Sequence, residues 1–401
     1  MPLRIAVYDA FALFEGSGRA VLDILTRLGR DRFEPVIVCP RDGDLLQAAR
    51  ARGFEAHVLQ PAGPLRQYNK ALLAGGLGAA LGIGAALLRH GVQLAWWLRR
   101  HRIRLLHCNQ TRAALQAGLG AKLAGLPMVW VVRIQERLPA RATRFGGWCA
   151  SAVVSLAPTC LETFGAASAL EGKVTEIPLG VDTDRFAPPE GDPPMPHGLH
   201  VRPGERVVLM VGGLHPRKRH ELLVEAASGI LRQVSEARVV IVGGPFEDVG
   251  PDYEAGLRAR AAQLGLGERI VFAGRRQDVP AILRVCDVFV LPSDQEGLPG
   301  SVLEAMATGK PCVVTPAAAA PVLDGATGLV VPPNDAEALG AAIARLLLDP
   351  GLARSMGRAA RRRAVEVYSL DATVRQYEAL YSRLAGSAPE ATAWPSSASR
   401  S

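Results

Sequence analysis

The sequence predicts an α/β fold with two doubly wound domains. Short apolar runs alternate with helical stretches along the chain, as in parallel sheets that are covered by helices. The alternation is interrupted between residues 187 and 205, where six prolines occur without a hydrophobic period. We therefore expect a linker at 187–205, and 401 residues are enough for a domain on either side.

The first domain is predicted at 1–186 and the second at 206–369. Apolar runs predict strands at 4–8, 35–39, 105–108, 128–132 and 152–155, then at 207–211, 239–242, 270–272, 288–291 and 312–314. Helices are predicted at 18–28, 112–123, 220–232, 253–264, 302–307 and 336–347. Because ligands of such sheets bind beyond the carboxyl ends of the strands, the domains should face each other across a functional cleft.

The end of the chain is predicted to be a helix and then a tail. The helix spans 370–385 and could pack against either domain, which includes a crossing back to the first. Residues 386–401 are rich in Ala, Ser and Pro, which is typical of disorder.

The net charge of +8 comes from one region of the chain. Between Glu55 and Glu136 no residue is acidic and ten are basic. Within this region, 71–88 carries no charge, which approaches the length of a membrane span, but its five glycines weaken a helix. We favour a helix that lies on a membrane surface or packs on its own domain, with Trp96 and Trp97 near an interface; a spanning helix is the alternative. The basic residues do not alternate with aromatic ones, so no nucleic-acid partner is expected.

The compartment is predicted from two features. The N-terminal apolar run is short and lacks a basic head, unlike a signal peptide. The six cysteines have no paired spacing. Reduced thiols follow, and we expect a cytoplasmic protein at the inner face of the cell membrane.

The segment 294–311, DQEGLPGSVLEAMATGKP, is the most informative one. A strand leads into a loop with Glu296, and Gly297-Leu298-Pro299-Gly300 then opens a helix that contains Glu304. The free N–H groups at a helix start bind anions. The two carboxylates would bind sugar or ribose hydroxyls; alternatively, they only offset the helix dipole.

Two further strand-to-helix turns could bind anions. In VGGLHPRKRH, residues 211–220, Arg217, Lys218 and Arg219 stand where cations oppose the helix dipole, which suggests an anionic ligand; a solvated basic turn is the alternative. Gly16 and Gly18 predict a glycine turn after the first strand, which could also bind an anion. A plain strand-to-helix turn without a ligand explains these glycines equally well.

Together these segments resemble the family 4 glycosyltransferases, which are retaining group 1 enzymes of the GT-B fold, over residues 4–384. The most specific match is the pair Glu296 and Glu304 in EGLPGSVLEAMATGKPCVV. Supporting matches are VGGLHPRK at 211–218, IPLGVDTDRF at 177–186, DVPAILRVCDVFVLPS at 278–293 and GLVVPP at 328–333. The first domain matches through its glycine turn, residues 107–109 and VWVVRIQE at 129–136.

The resemblance implies roles for individual residues. Glu296 would face the hydroxyls of the donor sugar, Glu304 would hold the ribose and Lys218 the diphosphate. Glu296, Lys218 and Arg133 are the implied catalytic residues. The other implied donor contacts are Gly16, Gly18, Gly213, Arg217, Arg275, Gly297, Leu298, Pro299 and Gly300. Contacts to the acceptor or to a membrane are expected from Arg99, Arg100, Arg102, Arg133 and Glu136.

The sequence departs from the family pattern at several positions. Gly213 stands where the family has an arginine, and Arg217 or Arg219 could take the place of that arginine. Arg133 stands where a histidine is usual. Leu179 replaces an asparagine, and alanines at 317–320 replace a glycine pair. The Asp-Thr-Asp run at 182–184 has a metal-binding pattern, but in this fold helix dipoles and cations usually take that role. No metal or cofactor is expected.

The implied function is transfer of a sugar, with retention, from a UDP- or GDP-linked donor to a glycan or lipid-linked acceptor in cell-surface polysaccharide or glycolipid synthesis. One alternative is an epimerase of the same fold that acts on the nucleotide sugar. The other is a non-catalytic homologue that binds glycan or membrane.

Overall fold

The computed structural model describes residues 1–14, 16–61, 63–65, 77–245, 249–250 and 252–386. Within these residues the chain forms two wholly parallel sheets with helices on their faces. This is the predicted α/β architecture of two doubly wound domains. Residues 187–205, where a linker is expected, contain no helix or strand.

The first sheet has seven strands in the order β3-β2-β1-β4-β5-β6-β7, so its winding reverses between β1 and β4. Its central strands β4, β5 and β6 are buried along their whole length, as expected for strands that are covered on both faces. The strands are β1 (Leu3–Tyr8), β2 (Phe33–Cys39), β3 (Glu55–Val58), β4 (Leu105–Cys108), β5 (Met128–Val132), β6 (Ala152–Ser155) and β7 (Val174–Glu176). The helices are α1 (Gly16–Arg27), α2 (Asp44–Ala51), α3 (Leu77–Arg100), α4 (Thr111–Ala124) and α5 (Ala140–Cys149).

The second sheet has six strands in the order β10-β9-β8-β11-β12-β13, with the reversal between β8 and β11. Its strands are β8 (Arg206–Val211), β9 (Ala237–Val242), β10 (Ile270–Phe272), β11 (Val288–Leu291), β12 (Cys312–Val314) and β13 (Gly328–Val330). The helices are α6 (His220–Gln233), α7 (Asp252–Gln263), α8 (Val279–Val285), α9 (Gly300–Ala307), α10 (Ala336–Leu348), α11 (Pro350–Tyr368) and α12 (Leu370–Leu384).

Three short edge strands are not predicted by the sequence pattern. β3 and β7 each begin and end with an exposed residue, so no apolar run marks them. β13 has three residues and starts with a glycine, which weakens the strand pattern. An edge strand pairs on one side only and buries less surface, which leaves a weaker trace in the sequence.

The uncharged segment 71–88 belongs in part to a helix that is longer than predicted. α3 starts at Leu77 and continues to Arg100, while 71–76 lies outside the described residues. The side chain of Trp96 is 63% exposed. Trp97 is buried and stacks on His101, so the prediction that Trp97 lies at an interface is wrong. Among the described residues, no helix combines the length and the hydropathy that a membrane span needs.

The chain crosses between the domains twice, and the two crossings run side by side. The Val181 N–H donates to the Tyr368 carbonyl at 2.8 Å, and the Leu370 N–H donates to the Val181 carbonyl at 2.9 Å. Gly180 is required at this crossing, because a Cβ there would lie 2.6 Å from the Leu370 Cα. The last residues of the first domain, just before the linker, are thereby tied to the start of α12.

After the second crossing, α12 lies against the first domain. The Glu378 carboxylate accepts a hydrogen bond from the Gly29 N–H at 2.9 Å. The Tyr381 hydroxyl lies 2.9 Å from Nδ1 of His107 on β4, and both side chains are buried. The last helix therefore completes the packing of the first sheet. The tail beyond Gly386 lies outside the described residues.

Candidate active site

The two sheets present the carboxyl ends of their strands to a common cleft. Loops diverge after β1 and β4 in the first sheet and after β8 and β11 in the second, where the winding reverses. Such reversals open the crevices in which doubly wound sheets bind ligands. Ile134, just after β5, forms an antiparallel bridge with Gly297, after β11. The loops of the two domains therefore touch at this edge.

Lys218 and Glu296 meet at the reversal point of the second sheet. Lys218 ends a 3₁₀ turn after β8, and Glu296 lies in the loop after β11. The Lys218 ammonium forms an ion pair with Oε1 of Glu296, and the two side chains are only 13% and 9% exposed. Charges that are shielded from water interact strongly. The largely buried Lys218 ammonium would therefore also interact strongly with a phosphate that binds next to it.

Gly297 stands at the contact between the domains. A Cβ at this position would lie 1.9 Å from the Arg133 carbonyl oxygen and 3.0 Å from the Cys160 sulfur. Such distances exclude every residue but glycine unless the two loops separate. The neighbouring Gln135 N–H donates to the Glu296 carbonyl at 3.4 Å. The position of Glu296 therefore depends on the first domain.

The helix α9 begins at Gly300, directly behind this loop. Its cap residue Pro299 has an extended conformation and supplies no side-chain hydrogen bond to the helix start. Leu298 and Pro299 are buried, and a Cβ on Gly300 would come within 3.4 Å of Leu179. The first turn of α9 thus presents backbone N–H groups and the positive end of its dipole.

Glu304 lies one turn further along α9 and is partly buried. Loss of solvent raises the pKa of Glu304 to about 7, and the charge of Asp23 adds to the rise. The guanidinium groups of Arg19 and Arg185 oppose it. Arg19 is on α1 and Arg185 precedes the linker, so first-domain cations face this second-domain acid. Sequence reasoning assigned neither arginine a role, although the position of Arg19 next to Gly18 was an available signal.

The pKa of Glu304 predicts a pH-dependent stability. The pKa of Glu304 is near 7 in the folded state and near the ordinary 4.5 in the unfolded state. Between pH 4.5 and pH 7 the folded state therefore binds more protons than the unfolded state. The free energy of unfolding should therefore fall as pH rises through this window. Glu304→Gln removes this titration. The free energy of unfolding of the variant minus that of wild type should therefore increase between pH 4.5 and pH 7, by at most about 3 kcal/mol. Urea unfolding of both proteins at several pH values measures this difference; a difference independent of pH would contradict the assignment.

Arg133 is held by a hydrogen-bonded chain in the first domain. Its Nε donates to the carbonyl oxygen of Asn109 at 2.8 Å and to Oδ1 at 3.1 Å. The Asn109 amide in turn donates to Oδ2 of Asp9 at 2.7 Å. Oδ1 of Asp9 accepts from the N–H groups of Phe11 and Ala12. Burial lowers the pKa of Arg133, and its contacts suit a positioning role beside Gly297.

The glycine turn at Gly16 and Gly18 is hydrogen-bonded to Asn109, which also contacts Arg133. A Cβ on Gly18 would lie 2.1 Å from the Leu13 carbonyl oxygen, and Gly16 has a φ of +27°. The Ser17 carbonyl accepts a hydrogen bond from the Asn109 amide at 3.2 Å. These glycines are therefore required by the tight turn that opens α1 into the cleft.

The basic residues after β8 are separated by the fold. Arg219 is directed to polar groups of its own domain: Nη2 donates to the Asn334 side chain at 2.5 Å, and Nε lies 3.6 Å from the Asp294 carboxylate. Arg217 is half-buried in the turn that ends at Lys218. Both arginines stay candidates for the cation that the family carries at the position of Gly213.

Arg275 and Glu136 lie at the edges of the site. The Arg275 side chain packs over Gly244, where a Cβ would lie 2.8 Å from its Cγ, and donates to the Pro245 carbonyl at 3.0 Å. It therefore lies at the carboxyl edge of β9 and β10. Glu136 is half-buried, and its carbonyl accepts a hydrogen bond from Thr163.

Arg99, Arg100 and Arg102 lie at the opposite edge of the first sheet. They are exposed and stand between the end of α3 and the start of β4, at the amino ends of the strands. An acceptor bound in the cleft would not meet them.

Two groups of acidic residues bear on metal binding. Asp182, in the Asp-Thr-Asp run, forms an ion pair with Arg27 at 2.6 Å and accepts the N–H groups of Asp184 and Arg185. It stabilises a turn. Among the described residues, one ligand atom from each of Glu55, His57 and His101 lies within 4.8 Å of the others. Glu55 and His57 are on the edge strand β3 and His101 follows α3. Arg4 also pairs with Glu55, so a cation already contacts this carboxylate.

Comparison with known proteins shows the family of the chain. The family model "Glycosyltransferase Family 4" matches residues 14–185, and "Glycosyl transferases group 1" matches residues 197–363. Crystals of HepE from Anabaena with UDP show a chain of the same fold, with a TM-score of 0.78 and 19% identity over 95% of this chain and 100% of that one. The fold is that of the GT-B glycosyltransferases.

Curated relatives agree with the two family matches. The GDP-mannose-dependent alpha-(1-6)-phosphatidylinositol monomannoside mannosyltransferase of Mycolicibacterium smegmatis is 39% identical over 217 residues, 51% of this chain and 53% of the relative. The match therefore spans about half of that relative's length. A second relative is the UDP-Gal:alpha-D-GlcNAc-diphosphoundecaprenol alpha-1,3-galactosyltransferase of Escherichia coli. It is 26% identical over 337 residues, which are 78% of this chain and 79% of the relative. The chain belongs to the group 1, family 4 glycosyltransferases.

Proposed function

We propose that this protein transfers a sugar from a nucleotide-diphosphate sugar to a lipid-linked or glycan acceptor, with retention of the anomeric configuration. The observation that carries the proposal is the pairing of Lys218 with Glu296 in front of the α9 N-terminus. Relatives that use GDP-mannose and UDP-galactose support a UDP- or GDP-linked donor. Their names also support a glycolipid or polysaccharide product.

The proposed chemistry assigns a role to each of these groups. When the bond between sugar and diphosphate breaks, negative charge develops on the diphosphate. Lys218 and the first N–H groups of α9 are already oriented in the cleft, so they stabilise this charge without reorganisation. Glu296 would orient sugar hydroxyls and Glu304 the ribose, and contact between the loops at Gly297 would limit access of water. No metal or cofactor has a step in this scheme.

A donor screen tests the proposed function. We expect UDP or GDP and one of their sugars to stabilise the fold by about 2.7 kcal/mol at a concentration 100 times the dissociation constant. Incubation with that donor and a lipid-linked acceptor should give a product whose anomeric configuration, read by NMR, equals that of the donor. An epimerised free nucleotide sugar, or no nucleotide binding, would contradict the proposal.

We further propose that α3 rests on an anionic membrane. Leu88, Val92 and Trp96 follow one another at four-residue spacing and are 55%, 56% and 63% exposed; we call them the α3 stripe. Arg89, Arg99 and Arg100 flank it and are exposed, and Arg100 lies 5.6 Å from the centre of the Trp96 ring. An apolar stripe with basic flanks is typical of helices that lie in the interface of an anionic bilayer.

Replacing the α3 stripe should release the protein from lipid. We expect Val92→Ser together with Trp96→Ser to weaken binding to phosphatidylglycerol vesicles at least tenfold at low salt, because two apolar contacts with the bilayer are lost. Val365→Ser, at a position on α11 that is 41% exposed, should bind like wild type. Co-sedimentation measures all three proteins, and equal binding would contradict the orientation.

A further inference from the structure

Three side chains that can ligate a metal ion lie together at the β3 edge of the first sheet. Glu55 and His57 are on β3, and His101 directly follows the end of α3. One ligand atom of each lies within 4.8 Å of the other two, a grouping that occurs once in the part of the chain that the structure describes. Because Glu55 and His57 are two positions apart on a strand, their side chains share one face of the sheet.

Trp97 of α3 orients both histidine rings. The His101 ring stacks on the Trp97 indole, with the ring centres 4.1 Å apart and the planes inclined by 21°. The His57 ring meets the indole edge-on at 5.2 Å and the His101 ring at 5.0 Å. Side chains that are already ordered lose less conformational freedom when a ligand binds. The two imidazoles are therefore prepared to bind one ion together.

The hydrogen bonds of the histidines leave lone pairs for an ion. Nδ1 of His101 lies 2.9 Å from the Trp97 carbonyl oxygen. Since a carbonyl only accepts, Nδ1 carries the proton and Nε2 of the neutral ring keeps its lone pair. Metal-binding histidines are typically fixed by such a contact to a backbone carbonyl. Nε2 of His57 lies 2.7 Å from Oε1 of Glu55, and an ion bound to both atoms would displace the proton that they share.

The charges around this group also suit a cation. Arg4 contacts Oε2 of Glu55, which is the oxygen that does not face His57, and its Nε lies 3.4 Å from the Glu34 carboxylate. Two carboxylates thus face one guanidinium, and one negative charge remains. The side chains of Glu55 and His57 are 39% and 32% exposed. An ion can therefore enter from solvent, and water can complete its coordination.

We infer that Glu55, His57 and His101 bind a divalent transition-metal ion of the Zn²⁺ type, which ties β3 to the end of α3. Two imidazoles and a carboxylate form a known Zn²⁺ ligand set with an open fourth position, whereas Mg²⁺ and Ca²⁺ take oxygen ligands. β3 pairs with β2 alone, so a bond to α3 would stabilise this edge. The role is structural and independent of the proposed function. The sequence pattern did not predict it, because His101 is distant from the other two residues along the chain.

Zinc binding to the full chain tests the inference. The protein is purified without a histidine tag, stripped with a chelator and titrated with ZnCl₂ by calorimetry. Wild type should bind one Zn²⁺ per chain with an affinity that excess Mg²⁺ leaves unchanged. His57→Gln and His101→Gln should each weaken this binding at least tenfold, because each removes a direct ligand. His197→Gln, which removes an exposed histidine of the linker outside this group, is the matched control.

The melting temperature gives a second measurement, in which each protein is compared with its own metal-free sample. An ion that binds only the folded state stabilises it. Zn²⁺ should therefore raise the melting temperature of wild type and of His197→Gln, but not that of the double variant His57→Gln with His101→Gln. Equal zinc affinity and an equal temperature shift in the double variant would mean an adventitious ion only and overturn the inference. Absence of Zn²⁺ binding to wild type would overturn it as well.

Discussion

Glu296→Ala should abolish sugar transfer and donor hydrolysis. The substitution removes the carboxylate that faces the cleft and leaves the Lys218 ammonium, which is 13% exposed, without its counter-charge. Both the orientation of the sugar and the position of the cation on the diphosphate are then lost. Removal of one oriented stabilising group typically costs 10²–10³ in kcat, and we expect a loss of about this size or larger. Turnover of radiolabelled donor, with and without acceptor, measures it.

Asp294→Ala is the matched control for this variant. Asp294 is in the same loop, but its carboxylate is exposed and lies 3.6 Å from Nε of Arg219. Its activity should stay within about threefold of wild type, because an exposed ion pair contributes little. A Glu296 variant with wild-type turnover would refute the site. Equal loss in both variants would assign the effect to the loop.

Gly297→Ala should inactivate the protein although it adds only a methyl group. The added Cβ would lie 1.9 Å from the Arg133 carbonyl oxygen, so the loops of the two domains must move apart. A displacement of about 1 Å at a catalytic group can cost 10²-fold in rate, and we expect kcat to fall by about this factor. Nucleotide affinity should fall less, because the Lys218 turn and α9 are both in the second domain.

Gly267→Ala provides the comparison. Gly267 is exposed, its φ is ordinary, and no atom of the described residues lies within 4 Å of the place that a Cβ would occupy. This variant should match wild type in kcat and in melting temperature. If Gly297→Ala keeps full activity, the loop contact seen at Ile134 and Gly297 does not form the active arrangement.

Elements with a strong local pattern could be predicted, and contacts between distant segments could not. The strands at 128–132 and 288–291 coincide with prediction to the residue, because each is a continuous apolar run in the interior of a sheet. The same local character made Glu296 and Lys218 recognisable, since their loops carry a family pattern. By contrast, the approach of Arg133 to Gly297 joins segments more than 160 residues apart and depends on how the domains meet.

The facing of Arg19 and Glu304 shows the same limit. Each residue has an ordinary local setting, a turn and a short helix, and only the packing of the two domains against each other brings their charges together. The sequence also could not predict that Trp96 is exposed while its neighbour Trp97 is buried. Adjacent residues on a helix point about 100° apart, so their environments depend on where the helix lies on the domain.

The position of α12 has a consequence for biosynthesis. The first sheet is covered in part by Tyr377, Leu380 and Tyr381, which belong to the last helix that the ribosome makes among the described elements. At 5–20 residues per second, the roughly 200 residues that separate the first domain from α12 take about 10–40 s to synthesise. Until then the buried His107 on β4 lacks its tyrosine partner. The first domain, although complete in its strands, must wait for α12 to be synthesised before it can finish folding.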